Sequence, residues 1–146
     1  TWAMFRYDGD LYFANAGYLE RRLLNAVADK PRLKVLILDL EAVDQIDATG
    51  EEMLAHMSER LSHAGIEFFI ARSKPKIMSA LQRSGLYDAI GEKHFFSRRP
   101  AAIDYVMARY GDAVDASHLH CHRPMPSEEG APDAKIAGNK PSPYSA

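Results

Sequence analysis

Leu33-Lys-Val-Leu-Ile-Leu-Asp-Leu40 decides the architecture of this chain. Six of its eight residues are aliphatic, and Val35 to Leu38 run without a polar break. A strand with one wet face would alternate. A continuous run suits a central parallel strand buried on both faces. Working upstream, Pro31 falls in a loop that a helix precedes, with Leu19, Leu23 and Val27 on its core face and Asn15 as its cap. Before it, Trp2 to Tyr7 reads as a strand, and Asp8-Gly9-Asp10 predicts a tight turn to an antiparallel partner, Leu11-Tyr12-Phe13. Downstream, a helix is expected from Ala48 or Thr49 to about His63, with Met53, Leu54, Met57 and Leu61 inward and Gly65 just past its end. Ile66 to Ala71 is the next strand. Ser73 as cap, Pro75 in the first turn, Ile77, Leu81 and a stop at Gly85 define a third helix. His94 to Phe96 reads as a short edge strand, and a last helix with Ile103, Val106, Met107 and Tyr110 closes at Gly111. The order ββαβαβα(β)α implies an α/β fold. It would have a mostly parallel sheet of four to five strands, an antiparallel hairpin at its start and about four helices.

Composition sets the outer limits. The 146 residues fit one domain, and 47% apolar with 26% charged residues is ordinary for a globular protein. A net charge of -2 supplies no basic field for a nucleic-acid partner. No unbroken apolar stretch exceeds four residues, against the ~20 needed to span a bilayer. The single Cys121 excludes an intrachain disulfide framework. Five of the eight prolines lie beyond residue 112, where periodicity is lost. Residues 1–112 are therefore read as the folded domain and 113–146 as a Pro-rich, disordered tail. The chain begins Thr1-Trp2 rather than with Met, which suggests a piece of something longer.

Chemistry is expected where the central strand ends, because open α/β sheets meet ligands at the carboxyl ends of their strands. The chain there reads Glu41-Ala-Val-Asp44-Gln-Ile-Asp47-Ala48-Thr49-Gly50-Glu51-Glu52. Asp47 or Thr49 can cap the second helix, and Gly50 lets another backbone approach closely. Free N–H groups and the positive end of the helix dipole make the turn Asp47, Ala48, Thr49, Gly50 a candidate anion or partner site. Glu51 and Glu52 complement that dipole but repel an anion. An ordinary capped helix start fits the same residues.

Here the chain resembles a family. Ile37-Leu-Asp-Leu-(x)2-Val43-(x)2-Ile46-Asp47-Ala-Thr-Gly50 is similar to the signature of STAS domains, named for sulfate transporters and anti-sigma-factor antagonists. Ala64-Gly65-Ile66, Leu81-(x)2-Ser84-Gly85-Leu86 and Ile90-Gly91 extend the likeness over about residues 2–111. Free-standing antagonists in that family are switched by phosphorylation of the Ser or Thr directly after the signature Asp, where this chain has Ala48. Asp10-Leu-Tyr-Phe-Ala-Asn15-Ala-Gly-Tyr18 resembles the first-helix motif of STAS domains at the carboxyl end of SulP-type anion transporters. The short Asp29-Lys-Pro-Arg32 connection resembles bacterial members.

The resemblance implies a cytoplasmic, non-enzymatic regulatory domain of a secondary anion transporter, at the inner face of a bacterial membrane. Its implied partners are the membrane domain of the same chain, a second copy, acyl carrier protein or a nucleotide, with no cofactor. The alternative is a free-standing antagonist of an anti-sigma kinase. Two further clusters complete the reading. Arg72, Lys74, Lys76 and Arg83 form a basic group around the third helix, read as a solvated face or as a docking face for an acidic partner or anionic leaflet. His118-Leu-His120-Cys121-His122 holds four potential metal ligands, but in a Pro-rich tail no metal site is expected. No Gly-rich phosphate loop is present, and no Ser-His-Asp set can be assembled.

Overall fold

The computed structural model describes residues 1–111 and the backbone of residues 119–122. The chain begins with strand β1 (Trp2–Asp8), helix α1 (Phe13–Ala28), strand β2 (Val35–Asp39) and helix α2 (Ala48–His63). Strand β3 (Glu67–Ala71), helices α3 (Pro75–Arg83) and α4 (Leu86–Ile90), and a 3-10 turn at Glu92–His94 follow. Strand β4 (Phe95–Phe96), helix α5 (Arg99–Tyr110) and strand β5 (Leu119–His122) complete the order. The sheet runs β4-β3-β2-β1-β5, and every pairing in it is parallel.

Successive strands β1 to β4 step in one direction across the sheet. Right-handed crossovers therefore leave the intervening helices on one face. Strict alternation along the strands then builds two cores. Ala3, Phe5 and Tyr7 of β1, Leu36 and Leu38 of β2, and Phe68 and Ile70 of β3 join Leu19 and Leu23 of α1, Met53, Leu54, Met57 and Leu61 of α2, and Ile77 and Leu81 of α3. Trp2, Met4, Val35, Ile37, Phe69 and Ala71 face the other way, onto Ala102 and Val106 of α5. All five β2 residues are buried, which is why that strand reads as an unbroken aliphatic run.

The α/β class holds, but the expected antiparallel hairpin does not form. Leu11 is instead a lone parallel bridge partner of Ile46. Its N–H donates to Gln45 O at 2.9 Å, and its carbonyl accepts from Asp47 N at 3.0 Å. The Asp10 carboxylate fixes the detour by accepting from Asp44 N and Gln45 N, both at 3.1 Å. These partners lie more than 30 residues away, so the local turn chemistry of Asp8-Gly9-Asp10 was overridden by contacts it cannot encode. Asn15 is likewise no cap. Tyr12 holds that position, while Asn15 sits buried in the first turn of α1 and donates to Asp10 O at 3.0 Å. Lys74, not Ser73, precedes α3, and no side chain caps it. Gly85 does end α3, but its left-handed φ of 80° restarts the chain at once as α4. Within the stretch read as a tail, Leu119–His122 lies beside β1, with Phe5 opposite Leu119 and Asp8 opposite His122. The rest of that stretch and His118 lie outside the described residues.

Candidate functional site

The turn between β2 and α2 is built around one carboxylate. Asp47 is the cap of α2, and its Oδ1 accepts from Gly50 N at 2.9 Å. Its Oδ2 accepts from Phe13 N, also at 2.9 Å. Phe13 is the first residue of α1, so a single side chain closes the amino ends of two helices. Both helix dipoles point their positive poles at this carboxylate, which supplies the negative charge they favour. Of the two capping candidates, Asp47 takes the role. Thr49 and Ala48 stand exposed on the first turn.

Gly50 is fixed by space rather than by backbone angle. A Cβ there would lie 2.3 Å from Leu11 O and 2.9 Å from Leu11 C. Backbone atoms cannot swing aside, so only hydrogen fits between α2 and the bridge residue. Signature residues Ile46, Asp47 and Gly50 thus pin the β2–α2 turn to the segment that starts α1.

The same segment presents Phe13, 75% exposed, its ring 6.0 Å from that of Tyr12 in an edge-on arrangement. Among the described residues it is the most exposed large hydrophobic. Sequence reasoning missed it by placing Phe13 in a strand. The signal was present, since a helix starting at 13 leaves Phe13 out of register with Leu19 and Leu23. Ala14, Gly17, Ala48 and Thr49 are exposed as well, so the amino ends of α1 and α2 carry little charge before Glu51. An external anion would meet Asp47, Glu51 and Glu52 here, with both helix poles already satisfied. The arrangement suits contact with another protein surface.

The basic group around α3 divides. Arg72 donates through Nε to Asp39 Oδ1 at 3.1 Å, through Nη2 to Asp39 Oδ2, and reaches Glu41 at 2.7 Å. Asp39 is only 1% exposed, so this forked pair neutralises a buried carboxylate. Arg72 adopts φ 57°, left-handed for a non-glycine residue, and this conformation brings the guanidinium over the ends of β2 and β3. Lys74 pairs with Asp44. Arg6 pairs with Asp8 at 2.8 Å, a hydrogen bond that raises its pKa above the usual guanidinium value. Lys76 and Arg83 remain exposed on α3. His56 and His63 are exposed on α2. Among the described residues, no group of three His, Cys, Asp or Glu is placed to hold a metal ion.

Comparison with known proteins bears on the same residues. The family model for the STAS domain matches residues 2–102, a span that includes β1, the Asp47 turn and the start of α5. The chain belongs to the STAS domain family. It is 35% identical over 101 residues to "Probable sulfate transporter Rv1739c" of Mycobacterium tuberculosis, covering 68% of this chain and 18% of that protein. The chain thus spans about a fifth of the length of that relative. Among solved structures, a sulfate transporter family protein from Wolinella succinogenes superposes with TM-score 0.66 at 25% identity, covering 73% of this chain and 85% of that one. The STAS domain of a SulP transporter from Vibrio cholerae gives TM-score 0.59 at 25% identity, covering 74% and 85%. Among the described residues of this STAS domain, no helix is long and apolar enough to cross a membrane.

Proposed function

We propose that this STAS domain is the cytoplasmic regulatory and interaction part of a bacterial SulP-type secondary anion transporter. In this reading it transports and catalyses nothing itself, and it couples to the membrane domain of the same polypeptide through the amino ends of α1 and α2. The observation that carries the reading is Phe13, held exposed by the Asp47 double cap. An exposed aromatic on a rigid frame is what a protein contact needs, because little ordering entropy remains to be lost on docking. Sequence likeness to sulfate transporters supports the membrane setting. Anti-sigma factor antagonists share the fold. Their switch needs a hydroxyl directly after the signature Asp, and Ala48 provides none.

The test is Phe13→Ser in the intact transporter, read as sulfate uptake together with the amount of protein in the membrane. Phe13 is largely exposed, so the isolated domain should melt within about 2 °C of the unaltered one. Uptake is expected to fall several-fold at equal membrane abundance. Unchanged uptake would overturn the assignment of this surface.

A further inference from the structure

α2 and α4 leave a furrow between them that starts at Ala48 and leads along α2 away from Phe13. A cavity of about 350 Å³ is lined by Ala48, Ala55, Leu86 and Ala89, with Glu51 and Glu52 along its edge. A second, of about 380 Å³, shares Ala55, Leu86 and Ala89 with it and adds Glu59. The two form one groove whose α2 wall runs from Ala48 to His63 and whose opposite wall is the shorter stretch from Ser84 to Ala89. At 1.5 Å per residue the α2 wall is roughly 22 Å, about four helical turns.

Three properties of the groove narrow its occupant. Ala55 and Ala89 are small, so a second helix can approach at the close end of the usual 8–10 Å axial spacing. Neither wall is a strand edge, so an extended peptide would find no main-chain partners, whereas a helix satisfies its own backbone. The formally charged side chains along these two cavities are all acidic, Glu51, Glu52 and Glu59, and His63 lines the far end of the second. None of the three acids makes an ion pair among the described residues. Glu51 and Glu52 are accounted for by the dipole at the start of α2. Glu59 is about two turns further along, where that dipole no longer favours an acid.

We infer that this groove receives an amphipathic helix of a partner protein, apolar on one stripe and carrying Lys or Arg on both flanks. The groove adjoins the Phe13 surface at Ala48, and Ala55, Glu59 and Ala89 belong to it alone. Its test uses the isolated chain, so its failure leaves the transporter reading untouched.

Two synthetic 18-residue helical peptides with the same Ala/Leu stripe serve as probes, one flanked by lysines and one by glutamates. Each is titrated into the isotope-labelled protein while amide shifts are followed by NMR. The lysine peptide is expected to shift Ala55, Glu59 and Ala89, and the glutamate peptide to leave them in place. Replacing Glu51, Glu52 and Glu59 together by Gln should weaken the lysine peptide about fivefold or more. Ala55→Trp, at a half-exposed position, should block it by bulk alone while amides outside the groove stay unshifted. The inference is overturned if neither peptide shifts these amides, if both do so equally, or if the Gln and Trp variants bind the lysine peptide unchanged.

Discussion

Replacing Asp47 separates its two bonds. In Asp47→Ala, Gly50 N and Phe13 N both lose their acceptor, and two helix starts lose the charge that faces them. A capping side chain is worth about 1 kcal/mol at one helix. The Gly50 bond is part-buried, so its loss is felt in full, while Phe13 N lies at the surface, where water substitutes. Together they give about 1.5 kcal/mol for Asp47→Ala. In Asp47→Asn one oxygen remains and can keep the Gly50 cap. The amide NH2 then faces Phe13 N–H, donor against donor, and the expected loss is about 0.5–1 kcal/mol. For a domain of this size, 1 kcal/mol moves Tm by about 4–8 °C. Thermal melts by circular dichroism should therefore rank the unaltered protein above Asp47→Asn and Asp47→Asn above Asp47→Ala, the last lower by roughly 6–12 °C. Equal melting of the alanine variant and the unaltered protein would refute the double cap. So would an Asn variant no more stable than the Ala variant, since Asn keeps an oxygen that can cap Gly50 and Ala keeps none.

Gly50→Ala should cost more than an ordinary helical Gly→Ala change gains, about 2 kcal/mol or more, because the new methyl meets the Leu11 carbonyl; urea titration checks it. Arg72→Met strands the buried Asp39 carboxylate and is expected to destabilise by about 3 kcal/mol, partly recovered in the double variant with Asp39→Asn, as a double-mutant cycle would read. Burial, and then the 2.7 Å hydrogen bond to Glu67, push the Tyr110 phenol above its usual pKa. A raised folded-state pKa on an acid means that its stabilising contribution is complete below the unfolded value near 10 and is lost as pH rises through the folded value. Stability should therefore decline above about pH 10, and Tyr110→Phe should lack that part of the decline in melts taken between pH 9 and 11.

What the sequence disclosed followed the range of the interactions. The continuous run in β2 and the helical repeat of Met53, Leu54, Met57 and Leu61 report burial residue by residue, and both elements stand where periodicity placed them. Gly50 was legible as a point of close backbone approach, though not that the approaching atom is Leu11 O. Asp47 was legible as a cap of α2 because that bond closes over three residues. Its second bond spans 34 residues to Phe13 and depends on β1 and β2 lying side by side. The same limit explains Asp8-Gly9-Asp10: its composition suits a tight turn, and only the β2–α2 loop diverts it. Arg72 and Lys74 read as basic surface because Asp39 and Asp44, 33 and 30 residues earlier, reach them only through the sheet.

The central claim, that this STAS domain works as part of a transporter chain, is tested most directly by an antibody against the domain. Native cells are fractionated, and compartment and mass are read on one blot. The account predicts a membrane band far heavier than 16.3 kDa, by enough for many spans of ~20 residues each. A soluble band near 16.3 kDa would contradict it and put a free-standing partner-switch protein in its place.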